Sequence, residues 1–158
     1  MKKLALAAAF LLFVSGGLAQ TVTAEGQPDF KLVPQDNDFR PGELGQYSFH
    51  IINDGDISQP APSAELDKQL TTATRLTYEV NTSEAPVHVK ENEVYAVGTV
   101  PERKIGPLGF QVSAWDNASS GRYEIEIDLN YRYRDSITYD VSGSQPVATD
   151  YNYDTEDE

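Results

Sequence analysis

Between Arg122 and Tyr133 apolar and polar residues alternate without a break: Tyr123, Ile125, Ile127, Leu129, Tyr131 and Tyr133 interleave with Arg122, Glu124, Glu126, Asp128, Asn130 and Arg132. A period of two is that of a strand with one dry and one wet face, whereas a 3.6-residue period would scatter the same residues around a helix. The stretch from Gly121 to Tyr133 therefore predicts the central strand of an antiparallel sheet buried on one side, with Tyr123, Tyr131 and Tyr133 in the core. Tyr47, Phe49 and Ile51 set against Ser48, His50 and Ile52 predict a second strand of this kind, and Leu76, Tyr78 and Val80 set against Arg75, Thr77 and Glu79 a third. Shorter strands are expected over residues 30–33, 87–90, 94–97 and 110–114. Residues 137–141 alternate again and predict a hairpin partner for the central strand, with Arg134-Asp135-Ser136 as its turn.

Between these runs lies turn chemistry. Pro41-Gly42 combines a preset φ with a residue free to take positive φ, and Asn53-Asp54-Gly55-Asp56 is the strongest turn signal in the chain. Residues 57–72 are the least regular part. Pro60 and Pro62 exclude a central strand there, while residues 63–70 suit two helical turns with Ser63 as cap and Glu65 and Asp67 near the positive end of the dipole. This segment reads as a surface excursion and a candidate recognition loop. Seven to nine short strands at spacings of about 8 to 12 residues point to an all-β, two-sheet antiparallel β-sandwich. A closed barrel is the alternative; the one-sided strands favour two packed sheets.

Composition adds a compartment and subtracts partners. Lys2 and Lys3, an apolar run over residues 4–14 and Gly17-Leu18-Ala19 make up a secretory signal peptide at 1–19, with cleavage expected after Ala19 and no membrane anchor expected afterwards. The chain holds no cysteine, which excludes a lipoprotein and a disulfide framework. Residues 20–28 are expected to be a flexible arm, 29–142 the sandwich, and 143–158 an acidic disordered tail, because residues 150–158 offer no aliphatic side chain to bury. With 25 acidic against 12 basic residues and a formal charge of −13, the surface repels nucleic acid and anionic lipid. A secreted or envelope-associated protein follows.

Few residue groups carry chemistry. The histidines are His50 and His88, and neither stands in a nucleophile motif. Glu124, Glu126 and Asp128 share one face of the central strand, a spacing that paired-carboxylate hydrolysis could use but that a solvated face shows as well. Asn53, Asp54 and Asp56 gather hard oxygens suited to calcium, as do Asp36-Asn37-Asp38, though neither follows the EF-hand order. Asn81-Thr82-Ser83 and Asn117-Ala118-Ser119 are acceptor motifs for glycosylation at Asn81 and Asn117. Trp115, at a strand end, is the ring to test as a carbohydrate platform.

Arg40-Pro41-Gly42-Glu43, then Asn53-Asp54-Gly55, Phe110-Gln111-Val112-Ser113, Ala118 to Tyr123 and Tyr131 to Asp135, in that order, resemble the immunoglobulin-like modules of archaeal S-layer-associated surface proteins. Those modules look related to the CARDB cell-adhesion-type and the alpha-galactosidase-associated "NEW" modules. The resemblance covers residues 29–141. It implies an immunoglobulin-like β-sandwich with a structural or adhesive role and an envelope or S-layer protein or glycan as partner; the lack of a catalytic motif among the residues predicts neither catalysis nor a cofactor beyond the candidate calcium. Self-association through sheet edges is also expected. A calcium- or carbohydrate-binding accessory module is the alternative reading, and a small secreted hydrolase a third.

Overall fold

The computed structural model describes residues 20–35, 38–82, 85–89 and 94–157, so the expected signal peptide at 1–19 lies outside the described residues. Along the chain run β1 (Thr21–Gln27), β2 (Phe30–Pro34), β3 (Leu44–Asn53), β4 (Asp56–Gln59), α1 (Ala64–Leu70), β5 (Ala73–Asn81), β6 (Val87–Val89), β7 (Tyr95–Val100), β8 (Arg103–Ala114), β9 (Glu126–Asp140) and β10 (Val147–Asp157). One sheet has the order β2-β3-β8-β6. The other has β4-β1-β9-β5-β7, with β10 paired to β9 beside that path. All pairings are antiparallel. The fold is the expected two-sheet β-sandwich, with ten strands among the described residues where seven to nine were predicted.

Alternation in β3, β5 and the first half of β9 does what it predicts. Phe49 and Ile51 from β3, Phe110 and Val112 from β8, Leu76 and Tyr78 from β5, and Leu129, Tyr131 and Tyr133 from β9 form one buried cluster between the sheets. Rings meet edge to face across it: Phe30 with Tyr131 at 4.8 Å between centroids, and Phe49 with Tyr78 at 5.3 Å. Such pairs add about 1 kcal/mol each beyond their burial. The Tyr78 hydroxyl donates to the Gly109 carbonyl of the opposite sheet at 3.0 Å, so this ring is pinned at both ends. The two predicted glycine turns form, with Gly42 at φ +75° and Gly55 at φ +62°.

β9 departs from expectation. It begins at Glu126, leaving Tyr123 44% exposed and outside the core, and it continues through Arg134-Asp135-Ser136 where a turn was predicted. The register against β10 steps from Tyr133↔Asp154 to Ser136↔Asn152, three residues against two, which places a bulge at Arg134–Asp135. An extra residue reverses the face on which every later side chain stands. Tyr131 and Tyr133 thus face the sandwich, while Ile137 and Tyr139 face the other side, where they join Ala24 and Leu70 in a second buried cluster. Helix α1 lies on that second cluster, with Leu70 fully buried and Leu66 packed beside it. The three polar residues mark a change of buried side within one strand, and no hairpin forms.

Two further expectations are corrected. The arm over 20–28 forms β1, because Ala24 is fully buried in the second cluster and the backbone pairs with both β4 and β9. In the expected tail over 143–158, Val147–Asp157 form β10, which pairs with β9 from Asp140 back to Asn130. Apart from Ala148, which packs against the second cluster, none of its described side chains joins either core, but its backbone completes the β9 ladder. Residues 130–132 of β9 pair with both β5 and β10, and residues 136–140 with both β1 and β10. β10 therefore holds one flank of β9 while β5 and β1 follow each other along the opposite flank.

Asn53, at the end of β3, is 1% exposed, and its carboxamide is fully used. Its oxygen accepts from the Asp29 and Gly55 amides at 3.2 and 3.1 Å, and its nitrogen donates to the Thr71 and Val100 carbonyls at 2.7 and 3.2 Å. One side chain so joins the start of β2, the turn after β3, the end of α1 and the end of β7. Asn53→Ala leaves those four backbone groups without it and lowers unfolding free energy by about 3 kcal/mol in denaturant titration, while Asn53→Asp, which sets a carboxylate against two carbonyls, is at least as damaging.

Burial raises the Tyr78 and Tyr139 hydroxyls above the ordinary tyrosine value of about 10. A pKa raised on folding gives stability that is intact below the unfolded value and is lost as pH climbs through the folded one. Melting temperature should hold steady up to about pH 10 and fall beyond it. The Tyr139 hydroxyl is buried without a hydrogen-bond partner among the described residues. Tyr139→Phe is therefore expected to leave stability at pH 7 unchanged or higher by about 1 kcal/mol and to soften the alkaline loss, measured by calorimetry at pH 7 and 10.5.

Candidate binding cleft

At the end of the sandwich where β3 begins and β8 ends, three connections meet. The Pro41-Gly42 turn is closed by the Glu43 amide donating to the Arg40 carbonyl at 2.9 Å and by the Arg40 amide donating to the Glu43 carboxylate at 2.8 Å. Trp115 then stitches the three together through its backbone: its carbonyl accepts from Gly42 at 3.3 Å and Ala118 at 3.1 Å, and its amide donates to Pro86 at 2.9 Å. The Trp115 indole is 43% exposed and rests near the His88 imidazole, 5.5 Å between ring centres.

These connections enclose a cleft of about 630 Å³. Phe39, Tyr47 and Tyr123 supply its aromatic wall, and Gln35, Asp38 and Arg122 its polar groups. Tyr47 is fixed from behind by stacking on Phe110 at 5.1 Å and 19°, and burial raises its hydroxyl above the usual range. Phe39 lies against Gly45, where any side chain would collide with the ring. The Tyr123 hydroxyl donates to the Ser119 carbonyl at 2.9 Å, which orients its exposed ring. Neither Asp38 nor Arg122 takes part in the ion pairs found among the described residues, which join Lys31 to Asp29 and Asp54, and Lys68 to Glu65. A volume of this size with a mixed aromatic and polar lining suits a ligand of a few rings.

The residues singled out in the sequence lie elsewhere or serve other ends. Asn53 holds the fold together, and Asp54 pairs with Lys31 at 2.5 Å. Asp56 instead lines a shallow depression with Glu25 and Asp135. Among the described residues no group of three or more histidines or carboxylates is arranged to hold a metal ion. Asp36 and Asn37 lie outside the described residues; Asp38 is on the cleft wall. Asn117 is exposed at a turn, and the Asn81 amide donates to Glu126 at 3.0 Å on an exposed surface. Glu126 and Asp128 stand on the exposed face of β9, and Glu124 precedes the strand. His50 is half-buried within β3.

Trp115, chosen as the ring to test, frames the cleft through its backbone but is not part of its lining. Alternation assigns Tyr47 and Tyr123 to dry strand faces, since it does not separate a ring at the end of a sandwich from one at its centre, and it gives no signal for Phe39. The usable signal was the loop chemistry beside them, Pro41-Gly42 and Ser119-Ser120-Gly121. Comparison with protein-family models, curated proteins and solved structures gives no match.

Proposed function

We propose that this chain is a secreted or cell-envelope-associated, non-catalytic immunoglobulin-like module that binds glycan through the cleft between the β2–β3 and β8–β9 connections. The observation that carries the reading is the aromatic wall of Phe39, Tyr47 and Tyr123 set beside Gln35, Asp38 and Arg122 in a single 630 Å³ space. The apolar face of a sugar ring packs on an aromatic face while its hydroxyls need directional polar partners, and this lining offers both. Support for binding without turnover comes from the carboxylates of the central strand: Glu126 and Asp128 are solvated on the outer face, away from the cleft. Protein contact through the same surface is the companion reading drawn from the S-layer-type resemblance.

A glycan array, followed by titration calorimetry on the best ligand, tests the proposal. Tyr123→Ala removes an exposed ring with no place in either core, so it should weaken binding at least tenfold with melting temperature unchanged, whereas Trp115→Phe should bind like the parent. Affinity indifferent to Tyr123 would remove the cleft from the reading. Turnover of a bound glycan that vanishes in Glu126→Gln would replace it with a hydrolase.

A further inference from the structure

β10 is held in a different way from the other strands of its sheet. Of its described side chains, 147 to 156, only Ala148 and Glu156 are even half-buried, and Tyr151 and Tyr153 are 44% and 48% exposed. What docks it is the ladder to β9 and a row of polar and aromatic contacts. The Arg132 guanidinium lies 4.4 Å from the centre of the Tyr153 ring, and that of Arg134 lies 5.1 Å from Tyr151. Arg134 also donates to the Tyr153 hydroxyl at 3.2 Å, Asn152 to the Ser136 hydroxyl at 3.0 Å, and the Tyr131 hydroxyl to Glu156 at 3.3 Å.

Release of β10 therefore removes no side chain from the sandwich core and takes Ala148 from the edge of the second cluster. β9 itself stays anchored, by Leu129, Tyr131 and Tyr133 on one face and by Ile137 and Tyr139 on the other. A released β10 thus leaves a preformed acceptor edge about ten residues long, with Arg132 and Arg134 presented along it. The connection from β9 to β10 is an exposed segment containing Ser142-Gly143-Ser144, which can swing outward.

We propose that β10 is an exchangeable strand, and that the flank of β9 which it occupies accepts the β10 of a second copy of this chain. The partner is set by complementarity: the acceptor reads two tyrosines at i and i+2 over its arginines, with Asn152 and Glu156 meeting Ser136 and Tyr131. Every copy carries that segment, and reciprocal exchange remakes each contact that it breaks. A short linker keeps the strand at an effective concentration of about 1 mM, so isolated copies hold their own β10 and crowded copies on a surface trade them. The charge of −13 opposes close approach of two copies, and salt relieves it. This inference rests on the β9 edge and does not depend on the cleft.

The absence of cysteine makes the test direct. Ser136 and Asn152 are register partners, so the two single variants Ser136→Cys and Asn152→Cys are mixed at about 1 mM in about 1 M salt and oxidised, and the linked heterodimer is identified by peptide mass. The expected result is a heterodimer yield at least tenfold above that of Ser136→Cys mixed with Gln145→Cys, which places the second thiol in the connecting segment off the register. A double variant Ser136→Cys/Asn152→Cys that closes within one chain, together with single variants that give no heterodimer above the control, would overturn exchange between copies.

Discussion

The fold depends on one buried carboxamide. Asn53 closes four backbone hydrogen bonds in a region sealed from water, where each group left unpaired carries a desolvation penalty. Because those groups belong to β2, the turn after β3, the end of α1 and the end of β7, the side chain ties one sheet to the other at the point where the chain crosses between them. Hydrophobic burial holds the sheets together but is not directional. The amide fixes how they meet, and it also sets where α1 ends before β5 begins.

β9 organises the rest. One bulge at Arg134–Asp135 lets a single strand face two cores, the sandwich through Tyr131 and Tyr133 and the helix-covered cluster through Ile137 and Tyr139. The same bulge leaves Arg134 on the face of α1, where its guanidinium donates to Gln69 at 2.7 Å and also meets the β10 tyrosines. Helix, central strand and C-terminal strand are thereby linked through one basic side chain on an otherwise acidic protein. Sandwich rigidity and an exposed C-terminal strand follow from the same geometry: the first from the two halves of β9 each burying a face in a separate core, the second from β10 adding backbone pairing but little packing.

The cleft gains its definition from this rigidity. Its rings rest on fixed supports, Tyr47 on Phe110 and Phe39 on Gly45, while the polar groups Asp38 and Arg122 come from connections at the surface. Binding surfaces formed by loops on a stiff sandwich combine adaptable contacts with a wall that does not collapse. The two functional readings occupy different parts of the molecule, one at the loop end and one along the β9 edge.

Much of this architecture was legible in residue order alone. The faces of β3, β5 and the first half of β9, the turns at Gly42 and Gly55, the short helix after Pro62 and the two-sheet class follow from alternation and turn chemistry, because those signals are local and repeat every two to four residues. Three things were not legible. The ladder of β10 is made by backbone groups that every residue carries, so an acidic segment with nothing to bury shows no sign of it until β9 offers an edge. The bulge in β9 has the composition of a turn, and only its partner strand decides between the two. Asn53 has the look of a turn residue or a cation ligand, and the cleft rings that of core residues, until the sheets close around them. Sequence set which side of β3, β5 and the first half of β9 is dry; the tertiary structure decided which backbone edges pair and which polar atoms are sealed in, since both depend on neighbours far away in the chain.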